Sequence, residues 1–134
     1  MPIVALTKER VRSYRDLRVW TRSVELAVEV MEVTKRLPRR EDYGLRGQMS
    51  RAAVSIPSNI AEGHGREHLG DYIHHLSIAS GSLAELETQL HIAARLDLLP
   101  PDIMKPLLER SSEVSRMLAS LIKSLRARSL TPRP

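Results

Sequence analysis

Between Leu69 and Ala93 the apolar side chains Leu69, Tyr72, Ile73, Leu76, Ala79, Leu83, Leu86, Leu90 and Ala93 recur mainly in steps of three and four. That spacing lines one face of a helix, whereas a strand face repeats every second residue. The spacing predicts a helix over His68 to Leu96. A helix carrying so wide an apolar stripe must bury it against partners, because helical propensity alone does not hold it together in water.

Three more segments supply those partners. A first helix is expected from Asp16, a good N-cap, to about Arg36, with Leu17, Trp20, Val24, Ala27 and Met31 as its buried stripe and Leu37-Pro38 as its stop. A second follows the basic turn Pro38-Arg39-Arg40, carries Leu45, Met49, Ala52, Ile56 and Ile60, and should kink or break at Pro57 before stopping at Gly63. A fourth is announced by Pro100-Pro101-Asp102 and carries Ile103, Leu107, Val114, Met117, Leu118, Leu121 and Leu125. The expected fold is all-α, an antiparallel up-down-up-down four-helix bundle in one domain over residues 1–134, with an arm at 1–14 and a tail at 127–134. Gly81, within Ala79-Ser80-Gly81-Ser82, weakens the third helix, and close approach of another helix would compensate.

Composition agrees with a helical core. The chain has no Phe, one Trp and three Tyr, so its 42% apolar content is mainly aliphatic. It has no Cys, which removes disulfides and thiolate sites and fits a reducing, cytoplasmic setting. No stretch approaches the roughly 18 apolar residues of a membrane span, and no membrane partner is expected.

Charge is distributed unevenly. Residues 1–52 carry twelve basic and seven acidic side chains, residues 53–113 carry four and nine, and residues 114–134 carry five and none. Both ends of the chain are basic, and an up-down-up-down bundle brings its ends together into one positive region. The candidate nucleic-acid contacts are Arg10, Arg12, Arg15, Arg18 and Arg22, then Arg36, Arg39 and Arg40, and finally Lys123, Arg126 and Arg128. Arg18 and Arg22 precede Glu25, Glu29 and Glu32 at neighbouring turns, so part of this charge is expected to be spent in intrahelical pairing. With so few aromatics, binding should be directed at the phosphate backbone and weakened by salt.

No catalytic pattern emerges. A dinuclear metal site in a bundle needs Glu-x-x-His on two helices, and the nearest match here is a single Asp71-Tyr72-Ile73-His74. Gly63-His64-Gly65-Arg66 lacks the spacing and the preceding strand of a phosphate-binding loop, and no serine stands in a nucleophile motif. Neither an enzyme nor a cofactor is expected.

Tyr14-Arg15-Asp16-Leu17-Arg18-Val19-Trp20, Tyr43-Gly44-Leu45, Arg51 to Gly63 and Ala79 to Glu87 together resemble the four-helix-bundle proteins encoded in 23S rRNA intervening sequences. The resemblance implies a closed antiparallel bundle assembling as a ring-shaped pentamer, without enzymatic activity. It also points to the related accessory proteins of diversity-generating retroelements, which bind nucleic acid and a reverse transcriptase. RNA or another nucleic acid is therefore one expected partner. The alternative is a scaffold holding a protein such as a polymerase or ribosomal protein. Within the motif, Arg51, Ser55, Pro57, Asn59, Glu62 and Gly63, with Gly81 and Ser82, read as structural: Pro57 shapes the second helix, while Arg51, Asn59 and Glu62 are expected to form a polar network with Gly81-Ser82.

Overall fold

The computed structural model describes residues 11–41 and 44–129. Four helices carry the fold: α1 Arg18–Thr34, α2 Leu45–His64, α3 Leu69–Arg95 and α4 Pro101–Ser129, with 3-10 turns at Tyr14–Asp16 and Arg39–Glu41 and no strand among the described residues. Helix α1 packs on α2 and α4, and α3 packs on the same two, so the four form a closed square whose diagonals do not meet. Ser55 bonds Ser82 and Asn59 bonds His75 across α2 and α3, so numbering rises on one helix as it falls on the other. The ion pairs Arg22–Glu113 and Arg110–Glu29 mark the same antiparallel relation between α1 and α4.

The core is aliphatic: Leu26, Met49, Ile56, Ile60, Leu76, Leu83, Leu86, Leu90 and Leu118 are fully buried. Helices α2 and α3 bury the stripes their spacing predicts, except that Leu45, Leu69, Tyr72 and Ile73 at their starts are half-buried against the core. Helix α1 does not. Its buried face is Val19, Ser23, Leu26, Ala27, Val30 and Thr34, while Met31 is exposed and Leu17, Trp20 and Val24 are only half-buried. The two polar members explain the difference. Ser23 and Thr34 each donate a hydroxyl hydrogen bond of 2.8 Å to a carbonyl three residues back, Trp20 and Met31 respectively, so neither enters the core unpaired.

Asp16 is not the N-cap of α1. Ser13 caps the preceding 3-10 turn, and the Asp16 carboxylate accepts from the backbone N–H of Arg12 at 2.9 Å and of Ser13 at 3.2 Å. These bonds, the one from Arg12 foremost, hold its pKa below the ordinary 3.8. A depressed carboxylate stabilises the fold above its unfolded pKa and loses that contribution as pH falls through its folded value. Acid titration of wild type against Asp16→Asn should therefore show an additional loss below about pH 4 in wild type only; identical acid limbs would contradict this.

Helix α2 runs unbroken through the buried Pro57 and ends at His64. Ser58 and Asn59 donate to the carbonyls of Val54 and Ser55, and not to Ala53, whose carbonyl lacks a donor at proline. Gly63 is buried inside the helix, and Gly65 is its C-cap. Helix α3 closes with the Leu98 N–H on Ala93 O and the Asp97 N–H on Ala94 O, a Schellman pattern that places Asp97 at φ 58°. No helix among the described residues is long and apolar enough to cross a membrane.

Candidate nucleic-acid interface

The antiparallel order sets the start of α1 beside the end of α4. Leu17, Arg18 and Val19 line one groove with Met117, Ser120, Leu121 and Ser124. The turn at Tyr14–Asp16 abuts α2, whose His64 lies close enough to act on Asp16 electrostatically. Arg128 similarly acts on Tyr72 at the start of α3, where burial pushes the phenol pKa up and Arg128 pulls it back. Exposed Arg12, Arg15, Arg18, Lys123, Arg126 and Arg128 thus converge on one end of the bundle. None forms an ion pair among the described residues. The Arg15 guanidinium lies 5.1 Å over the Tyr14 ring, which meets Trp20 edge-on.

The remaining candidates do not join this cluster. Arg22 bonds Glu25 at 3.0 Å and approaches Glu113 at 3.5 Å, and the Glu25 hydrogen bond chiefly raises its pKa. Arg36, Arg39 and Arg40 lie past the far end of α1, about 25 Å along a 17-residue helix. They are exposed at the opposite end. Arg10 lies outside the described residues.

The motif residues build a seam between α2 and α3. Ser55 Oγ and Ser82 Oγ are 2.8 Å apart, and the Asn59 amide donates to both Ser55 O and Ser55 Oγ. Asn59 Oδ1 meets His75 Nδ1 at 3.1 Å, and Glu62 approaches the same nitrogen at 3.8 Å while bonding Arg66 at 2.8 Å. In the sequence His75 has no acidic partner at metal-ligand spacing, and its part in this seam shows only once α3 lies across from Gly63. Gly63 permits the seam: a Cβ there would stand 2.7 Å from His75 Cβ and 3.2 Å from Tyr72 O. Two motif members stand outside it. The exposed Arg51 side chain makes no hydrogen bond or ion pair among the described residues, and Gly81 is exposed with open space around it.

The Gly63-His64-Gly65-Arg66 stretch makes no cradle, since its first two residues are helical and the Arg66 guanidinium rests on Glu62. Among the described residues no three His, Asp or Glu side chains gather as a metal site. A cleft of about 830 Å³ lies near the opposite end between α3 and α4, lined by Ala94, Leu99, Met104 and Leu108 with His91 and Lys105 at its edge.

Comparison with known proteins follows this architecture. A protein of unknown function from the S23 ribosomal protein family of Bacteroides thetaiotaomicron has a similar crystal structure, with a TM-score of 0.74, 27% identity, and coverage of 78% of this chain and 98% of that one. No curated protein matches the chain. The model of the 23S rRNA-intervening sequence protein family matches residues 15–120, spanning α1 to α3 and most of α4. This chain therefore belongs to the 23S rRNA-intervening sequence protein family.

Proposed function

We propose that the chain is a non-enzymatic, cytoplasmic homo-oligomer, a ring of five, that binds RNA or another nucleic acid through the basic end of its bundle. The observation that carries this reading is the convergence of Arg12, Arg15 and Arg18 with Lys123, Arg126 and Arg128, six exposed cations that form no ion pair among the described residues. Unpaired arginines at a surface suit phosphate, which they grip in bidentate fashion. The family's name makes RNA the first ligand to test. Repetition around a ring multiplies a modest single contact surface through avidity.

The test is fluorescence anisotropy of labelled RNA across a salt series. Affinity should fall steeply with salt and vary little among sequences. Arg126→Gln with Arg128→Gln should weaken binding about tenfold at low salt, while Arg39→Gln with Arg40→Gln, at the other end, should change it much less. Salt-independent binding, or the reverse ranking of the two pairs, would contradict the reading. RNA-free protein that captures a polymerase or ribosomal protein would favour the scaffold instead.

A further inference from the structure

The chain has one Trp, three Tyr and no Phe, yet three of these four rings stand at the basic end of the bundle: Tyr14 in the 3-10 turn, Trp20 in the first turn of α1 and Tyr72 in the first turn of α3. The fourth, Tyr43, lies outside the described residues. Packing accounts for two of the three. Trp20 and Tyr72 rest against the aliphatic core, and Tyr72 also meets His64 edge-on at the end of α2. Tyr14 is half-buried and stands outside that core packing.

The Tyr14 ring meets Trp20 edge-on, with centres 5.1 Å apart, and the Arg15 guanidinium lies over it at 5.1 Å. The three side chains form a ladder running outward from core-packed Trp20 through half-buried Tyr14 to exposed Arg15. Its outermost member is planar and cationic, and it forms no ion pair among the described residues. The adjacent Asp16 carboxylate is held elsewhere, by the backbone N–H of Arg12 at 2.9 Å and of Ser13 at 3.2 Å, while the Arg15 N–H donates to Ser13 Oγ at 3.2 Å. These bonds fix the turn that carries Tyr14 and Arg15, so less ordering is left to be done when a ligand arrives. A guanidinium plane backed by an aromatic ring is a surface on which a nucleobase stacks, whatever the base, since every base has a π-face. Bases inside a duplex are already stacked on their neighbours, so only an unpaired base can reach such a surface.

We infer that this ladder is a stacking platform for an unpaired nucleobase, with Arg15 as the stacking plane, Tyr14 as its support, and Arg12, Arg18, Arg126 and Arg128 around it holding phosphates. The inference rests on the nucleic-acid reading and names its substrate as single-stranded RNA, including loops and ends.

The test compares the affinity of the full chain for oligouridine and for an abasic oligomer of the same length and charge, with circular dichroism to check that each variant folds. Oligouridine should bind about tenfold more tightly, the worth of one stacked base. It should also change the emission of Trp20, the sole Trp, which stands beside Tyr14. Arg15→Lys keeps the charge and loses the plane, and Tyr14→Leu keeps an apolar side chain and loses the ring. Each should reduce the preference for oligouridine to less than about twofold, whereas Arg126→Gln with Arg128→Gln should weaken both strands alike. Equal affinity of the two strands for wild type, or a preference that survives Arg15→Lys, would overturn the platform while leaving the charge reading standing. No binding of either strand would overturn both.

Discussion

Replacing Gly63 by valine is expected to cost about 3 kcal/mol of stability, the upper range for forcing extra volume into a packed interior. Its Cβ would stand 2.7 Å from His75 Cβ and 3.2 Å from Tyr72 Cδ1 and Tyr72 O. A backbone carbonyl and a Cβ cannot rotate aside, so α2 and α3 must separate, straining the His75–Asn59 bond of 3.1 Å. The sign is informative. Helix propensity alone favours Gly63→Ala by up to about 1 kcal/mol, whereas the packing predicts that alanine also destabilises. Gly70→Ala is the control, because nothing lies within 4 Å of that position. Denaturant midpoints should fall for both Gly63 variants and hold or rise for Gly70→Ala; a gain at Gly63→Ala would refute the close approach.

Leu86→Ala should cost about 3 kcal/mol, through lost burial and the cavity left behind. Leu86 is fully buried, whereas Leu96, the C-cap of the same helix, is 61% exposed. Leu96→Ala should therefore change monomer stability by less than about 0.5 kcal/mol. Urea unfolding of the pair separates core from surface on one helix, and equal losses would mean that the core lies elsewhere.

How much of this could be read from the sequence depended on which residue types filled each face. Helix α3 was legible because Leu76, Leu83, Leu86 and Leu90 mark the buried side so strongly that the one polar residue buried with them, Gln89, does not obscure it. Helix α1 carries a wide apolar arc, and the sequence offered Leu17, Trp20, Val24, Ala27 and Met31 as one unbroken stripe. The face that is buried includes Ser23 and Thr34, whose hydroxyls return to their own helix backbone, a solution invisible to an apolar count. Gly63 looked like a helix stop because glycine ends many helices; only the neighbouring helix reveals it as a spacer.

The basic cluster was legible only in part. The chain's charge distribution pointed to its two ends, and the antiparallel order brings Arg12, Arg15 and Arg18 to Lys123, Arg126 and Arg128. Sequence proximity also grouped Arg36, Arg39 and Arg40 with them, but a helix of about 25 Å intervenes. Arg22 was expected to pair along its own helix and does so with Glu25, yet its approach to Glu113 required the register of α4. The seam of Ser55, Asn59, His75 and Ser82 was half-seen, because three of its members sit in the family motif and the histidine does not.

The central proposal, a homo-oligomer that holds nucleic acid by charge, is tested most directly by purifying the protein at low and at high salt and measuring the 260/280 nm absorbance ratio together with light-scattering mass. The account predicts an oligomer carrying nucleic acid at low salt that sheds it at high salt while remaining assembled. Protein free of nucleic acid at both salts and unable to retain added RNA, or a monomer at both, would contradict it.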